Sequence, residues 1–375
     1  METIYLDNCA TTQVSKEICD KVIELMSINY GNPSSLHGMG SNALHELSQA
    51  RFYLAQVLAC NTDNVFFTSG GTESNNLAII GGAHFNKKYG SKIITTEIEH
   101  SSVLKAFEAL EVEGYITQYA KPNKNKHYYE SKSIIDLVDE NTILVSFMLV
   151  NNETGEILPA KKIIKGIRKK NPNTLIHMDC VQAFGKIDTH IFNFDVDFLS
   201  ASSHKIHGPK GSGLLYVKDI SRLNPRQFGG EQESRIRPGT ENVPCCCGFG
   251  LAAHKAMEHI KKNYEYVDDL KNYLVEKLEK IENVTINSIG ENLPYILNFS
   301  LIGYNSDDLV AFMTKNNVCI SASSACMVGA RSYVLEALGF DENIILSTVR
   351  VSFSNNNNKA EIDRFVLLLD EFIAK

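Results

Sequence analysis

Four short segments carry residue types that do chemistry when a fold places them well. Thr68-Ser69-Gly70-Gly71-Thr72-Glu73-Ser74-Asn75 follows an apolar run and opens a helix. Glycines let the backbone approach a ligand, and free N–H groups at a helix start favour an anion such as phosphate. The segment is neither a Walker loop nor a GxGxxG loop, and an ordinary capped helix start has similar composition. His177-Met178-Asp179-Cys180-Val181-Gln182 closes a second apolar run. A carboxylate there can hold the protonated ring nitrogen of a cofactor, or cap a helix. Ser200-Ala201-Ser202-Ser203-His204-Lys205-Ile206-His207-Gly208-Pro209-Lys210-Gly211 sets a lysine just past a third run, among hydroxyls and histidines. Such a lysine can form a Schiff base if burial or neighbouring cations keep it partly neutral, and a solvated basic turn is the alternative. Ser321-Ala322-Ser323-Ser324-Ala325-Cys326-Met327-Val328-Gly329-Ala330 is almost entirely small. Few apolar contacts would hold such a loop, so mobility is expected and Cys326 is a candidate nucleophile; a small buried cysteine is the alternative.

Taken together, an anion seat, an acid at a strand end and a lysine beyond the next strand are what pyridoxal 5′-phosphate (PLP) requires. The glycine-rich loop takes the phosphate, Asp179 pairs the pyridinium nitrogen, and Lys205 makes the Schiff base.

These segments need a scaffold, and apolar periodicity supplies one. Ser15 can cap a helix carrying Ile18, Val22, Leu25 and Met26, and a second helix carries Leu44, Leu47, Leu54 and Leu58. Strands are expected at 65–68, 92–96, 142–150, 174–179, 197–203 and 213–217, with helices at 76–89, 101–113 and 159–170 between them. That alternation predicts an α/β fold, a mostly parallel sheet covered by helices on both faces. After Pro244 a long amphipathic segment runs to about residue 281, followed by shorter strand and helix patterns. The expected organisation is a large PLP-binding domain over 15–255 and a small α+β domain from 1–14 and 256–375.

Composition bounds the rest. The 375 residues are 43% hydrophobic and 22% charged, which excludes collagen-like, disordered and coiled-coil classes. A net charge of −7 argues against a nucleic-acid footprint. No apolar run of ~18 residues predicts a membrane span. The first residues lack the pattern of a secretory signal, and nine cysteines without regular spacing suit a reducing, cytoplasmic setting. Cys245-Cys246-Cys247 could suggest a metal, but consecutive side chains diverge on a helix and no CxxC lies nearby. Packing is the expectation, with no metal site.

In these segments the chain resembles the NifS/IscS-type cysteine desulfurases, within the fold-type I PLP enzymes and aminotransferase class V. The likeness runs through Tyr5-Leu6-Asp7-Asn8-Cys9-Ala10-Thr11-Thr12, Gly31-Asn32-Pro33-Ser34-Ser35, Phe67-Thr68-Ser69-Gly70-Gly71-Thr72-Glu73-Ser74, and Glu99-His100. It continues through Val150-Asn151-Asn152-Glu153-Thr154-Gly155, Asp179 with Gln182, and Ser203-His204-Lys205. Arg237-Pro238-Gly239-Thr240, Ser324-Ala325-Cys326 and Val349-Arg350-Val351-Ser352 complete it. The resemblance implies a PLP enzyme that converts L-cysteine to L-alanine, with Cys326 taking the sulfur as a persulfide for a sulfur-acceptor protein. Iron–sulfur cluster scaffolds, tRNA thiolation enzymes and thiamin-pathway carriers are such acceptors.

By the same resemblance Lys205 is the Schiff-base lysine and proton shuttle. His100 stacks on the pyridine ring and acts in acid–base steps. Asp179 and Gln182 contact the ring nitrogen and phenolic oxygen. Gly71, Thr72, Ser202 and His204 hold the phosphate. Thr240 reaches the phosphate of a neighbouring subunit, implying a homodimer. Asn152 and Arg350 clamp the substrate carboxylate.

Departures from the family pattern lie at Cys9, where a small residue is usual, at Pro238, where serine is usual, and around Cys326. The stretch after Cys326 is about two residues shorter than is typical, and at ~3.3–3.6 Å per residue it reaches less far. An acceptor docked close by, or slow delivery to distant ones, is expected. Two other readings are a selenocysteine lyase or another class V PLP enzyme, and a non-catalytic sulfur-relay scaffold.

Overall fold

In chain order the strands are β1 (Ile4–Tyr5), β2 (Val65–Thr68), β3 (Lys92–Thr96), β4 (Ile116–Ala120), β5 (Thr142–Met148), β6 (Leu175–Asp179), β7 (Phe198–Ser202), β8 (Gly213–Val217), β9 (Val284–Ile286), β10 (Ile296–Leu301), β11 (Val318–Cys319), β12 (Ser321–Ala322) and β13 (Thr348–Ser352). The computed structural model describes residues 3–322 and 331–375. Strands β2 to β8 form one sheet in the order β2-β8-β7-β6-β5-β3-β4. β3 to β7 run parallel, while β8 is antiparallel to both β7 and β2. β8 alone therefore opposes the rest, and β2, β3, β5, β6 and β7 all end on one edge. β3, β5, β6 and β7 are buried along their whole length, which explains their near-continuous apolar runs. Ligands of open α/β sheets bind beyond such an edge.

Helix Gly38–Leu58 packs on the long helix Val243–Leu278, as does helix Lys16–Ser27. The amphipathic segment expected after Pro244 is this continuous helix. Asn242 caps it, its side chain accepting from Cys245 N. Cys246 and Cys247 pack in the core of its first turns, and Cys245 is half-buried. Ser15 stands at the start of helix Lys16–Ser27 but makes no capping bond. Among the described residues no helix is long and apolar enough to cross a membrane.

A second, antiparallel sheet has the order β12-β13-β10-β9. β1 pairs in parallel with β11, and Asp7 bridges Ser352 at the end of β13. The N-terminal segment is thereby laid across toward the large sheet's functional edge. Asn8 Nδ2 donates to Ser352 O at 3.0 Å, and Cys9 N donates to Ser352 Oγ at 2.8 Å.

One glycine sets the position of the loop after β2. Gly213 pairs with Thr68 at the start of β8, and a Cβ there would lie 2.5 Å from Gly70 Cα. Backbone must move to admit it. Gly213→Ala is expected to destabilise the fold by about 1–3 kcal/mol, read as a lower urea midpoint.

Candidate active site

Lys205 follows β7 in the short turn Ser203–Lys205. Its Nζ donates to Cys9 O at 2.6 Å and to Ala10 O at 2.8 Å. No carboxylate is among its hydrogen-bond partners. Burial is the main reason its pKa falls below the usual lysine range; Arg350 acts in the same direction, and Asp7 and Asp179 oppose it. An amine so placed loses its proton more readily and becomes a better nucleophile.

β6 ends on Asp179, whose Oδ2 accepts from Asn75 Nδ2 at 2.7 Å and whose Oδ1 accepts from Val181 N at 2.8 Å. Both donors are neutral. Burial raises the pKa of this carboxyl, against those hydrogen bonds and the charges of His100 and Lys205. A cationic ring nitrogen beside it would relieve that penalty.

His100 caps helix Ser101–Val112 after β3. Its Nδ1 accepts from Ser102 N at 3.1 Å, so the neutral ring carries its proton on Nε2. Burial lowers its pKa; Lys205 adds to the effect and Asp179 opposes it.

The helical run after β2 begins at Gly71, not at residue 76 as its apolar spacing suggested. It comprises Gly71–Asn76, a wider π-type turn over Leu77–Gly81, and Gly82–Asn86. Glu73 Oε2 accepts from Ser69 N at 2.5 Å, which secures the start. A Cβ on Gly71 would stand 2.7 Å from Val181 Cγ2, so the backbone here lies close against its neighbour. Ser202 ends β7. His204 Nδ1 is 3.2 Å from Thr11 Oγ1, and burial brings its pKa down to about 4, which leaves the ring neutral.

Arg350, from β13, donates through Nη1 to Asn152 O at 2.9 Å and through Nη2 to Asp7 Oδ1 at 3.0 Å. Its Nε is buried without a partner, as is Oδ1 of Asn152. Gln182 Nε2 donates to Cys9 O at 3.2 Å.

Gly71, Thr72, His100, Asn152, Asp179, Gln182, Ser202, His204, Lys205 and Arg350 all line one cavity of about 380 Å³. Thr240 is exposed and is not among the lining residues. Cys326 lies outside the described residues. Sequence reasoning assigned no role to Asn75, Ser102 or Val181, which line the same cavity. Asn75 had a signal: it stands one helical turn beyond Thr72. Ser102 had one too, two residues after a histidine at a helix start. Val181 acts through its backbone N–H, which residue type does not reveal.

The cavity suits PLP. It offers a half-buried amine, a buried carboxylate served only by neutral donors, and a close-packed glycine at a helix start. Unpartnered buried oxygens on Asn75 and Asn152 and the free Nε of Arg350 still await polar partners. Lys205 would anchor the group and Asp179 its ring nitrogen, with Gly71, Thr72, Ser202 and His204 at the phosphate.

Comparison with known proteins agrees with this geometry. The family model described as aminotransferase class-V matches residues 4–365. The chain is 35% identical to cysteine desulfurase IscS of Clostridium botulinum over 376 residues, covering 99% of this chain and 94% of that protein. It is 35% identical to putative cysteine desulfurase IscS 1 of Bacillus subtilis over 368 residues, covering 96% of each. Among solved structures, a NifS-like protein superposes with a TM-score of 0.94 at 33% identity over 100% of both chains. SspA in complex with cysteine superposes at 0.83 with 32% identity, over 94% of this chain and 99% of that one. With a half-buried lysine, an acid and an anion seat gathered at one sheet edge, and likeness along its whole length, the chain belongs to the NifS/IscS-type cysteine desulfurases of the aminotransferase class V family.

Proposed function

We propose that this chain is a PLP-dependent cysteine desulfurase that converts L-cysteine to L-alanine and places the sulfur on Cys326. The observation that carries the reading is the single cavity in which Lys205, Asp179, His100 and Arg350 meet. The named relatives, and the cysteine bound by SspA, support the choice of substrate.

When bound, PLP supplies an electron sink for the substrate's Cα. Lys205 would anchor the cofactor, and its Nζ would hold and return the Cα proton. Asp179 would hold a positive ring nitrogen in place. The guanidinium of Arg350, backed by Asn152, takes the substrate carboxylate, a pairing suited to its fork of donors. His100, neutral with a proton on Nε2, serves acid–base steps beside the ring. The Cys326 thiolate attacks the substrate sulfur: an S–S bond forms, the Cβ–S bond breaks, and Cβ takes a proton to become the methyl group of alanine. The persulfide then passes to an acceptor protein, an iron–sulfur scaffold or a thiolation enzyme.

On this reading 15–255 forms the PLP-binding unit, and 1–14 with 256–375 brings Cys9 and Arg350 over it. Thr240, exposed on its loop, would serve the phosphate of a second copy of the chain, making the working unit a cytoplasmic homodimer. Incubation with L-cysteine is expected to add one sulfur atom to the peptide holding Cys326 and to release L-alanine, both read by mass spectrometry. Absence of L-alanine would overturn the proposal.

A further inference from the structure

A buried lysine stands close to the half-buried Lys205. Lys186 is 6% exposed, and its Nζ donates to Gln182 Oε1 at 3.3 Å. The same amide donates through Nε2 to Cys9 O at 3.2 Å, and Lys205 Nζ donates to that carbonyl at 2.6 Å. Lys186, Gln182, the Cys9 carbonyl and Lys205 thus form one continuous chain. Because an amide has one donating end and one accepting end, an ammonium on Oε1 fixes which end of Gln182 faces Cys9.

The surroundings leave this pair of cations little compensated. No carboxylate bonds either amine. Cys9, Asp7 and Asp179 favour the charge on Lys205 while Arg350 opposes it, and Cys9 and the Tyr295 ring, its centre 5.5 Å from Lys186 Nζ, favour the charge on Lys186. Burial lowers the pKa of His100, His204 and His207, so the histidines add little positive charge near neutral pH. Both lysines also line a second cavity of about 280 Å³. There, Lys255 is paired with Glu17, while Glu258 and His259 are exposed on the outer face of the long helix.

We propose that Lys186 is a positioning residue for Lys205: through Gln182 it orients the carbonyl contact of the reactive amine, and its charge disfavours a second ammonium beside it. The proposal deepens the reading in which Lys205 is the anchoring amine, but its test does not need the cofactor. Burial, with Lys205 and Arg350 acting in the same direction, brings Lys186 to about 8, so below that pH both amines carry charge and repel each other.

The test is competitive acetylation of the full chain by acetic anhydride across pH, after hydroxylamine has removed any bound carbonyl compound. Mass spectrometry of the peptide carrying Lys205 reads the free-amine fraction. In Lys186→Met the midpoint is expected to rise by about one pH unit, with roughly tenfold less labelling near neutral pH. Lys186→Arg, which keeps charge and donors, is expected to retain the wild-type midpoint. An unchanged midpoint in Lys186→Met, or an equal shift in Lys186→Arg, overturns the proposal. Lys186→Gln serves the same test if the methionine variant does not fold. Failure of the cofactor reading looks different: wild-type chain would then take up no PLP at Lys205, whatever its acetylation profile.

Discussion

Lys205→Ala lowers the rate of L-alanine formation from L-cysteine by about 10²–10⁴-fold, the range for losing one acid–base group, and removes the covalent anchor as well. The fold should survive the change. Burial disfavours the Lys205 ammonium, so alanine relieves a desolvation penalty while leaving the carbonyls of Cys9 and Ala10 without that donor. A lysine whose folded-state pKa lies below its unfolded value costs the fold stability below that folded pKa, and the penalty fades as pH rises from there toward the ordinary lysine range, the window in which unfolding takes up a proton. The alanine variant should therefore lose less stability than the wild type as pH is lowered through that alkaline window. Lys205→Arg separates chemistry from charge: the guanidinium keeps the cation and the donors but does not deprotonate, so it should be as inactive as alanine. Borohydride trapping of added PLP at residue 205, with L-alanine release, checks both variants. An alanine variant within tenfold of wild-type turnover would remove Lys205 from the reaction.

Part of the cavity is readable from sequence because Asp179, Ser202 and Lys205 stand at or just past the ends of buried strands. Asp179 closes the apolar run 174–179 and Lys205 lies two residues beyond the run 197–203; β6 and β7 lie within those runs. The run at 213–217 is strand β8 to the residue. β4 gives no such signal: it lies at the sheet edge, with Ile116 exposed and Thr117 and Gln118 half-buried, so no apolar run marks it. The helix after β2 begins earlier than its apolar spacing predicts because its first residues, Gly71-Thr72-Glu73-Ser74-Asn75-Asn76, are polar or small, and Gly71, Thr72 and Asn75 face the cavity rather than an apolar core. Leu44, expected on a core face of its helix, is 51% exposed. Least readable is the N-terminal contribution. That Cys9 offers its carbonyl to both Gln182 and Lys205 depends on β1 pairing with β11, elements of two residues each that lie far apart in sequence.

Cys326→Ser is expected to lower L-alanine release by about 10²-fold or more, the loss typical of removing one reacting group, while PLP uptake at Lys205 persists. A hydroxyl cannot become the terminal donor of an S–S bond, and it is far less ionised than a thiol near neutral pH. The described thiols offer little replacement. Burial pushes Cys60 and Cys247 up to about 12 and raises Cys180 and Cys246 as well, which keeps all four protonated and poorly nucleophilic. Cys19 is exposed on helix Lys16–Ser27, and neither it, Cys245 nor Cys319 lines the cavity. Cys9 does line it, but its Sγ donates to Asn152 O at 3.1 Å, the carbonyl that also accepts from Arg350. Sulfur transfer to Cys9 would require that contact to break beside Arg350, which donates to the same carbonyl. Mass spectrometry of the Cys326→Ser protein after L-cysteine therefore discriminates sharply. No added sulfur on any peptide, together with lost turnover, supports Cys326 as the acceptor. A sulfur on the Cys9 peptide at wild-type turnover would move the acceptor to the cavity wall and leave Cys326 without a role in the chemical step.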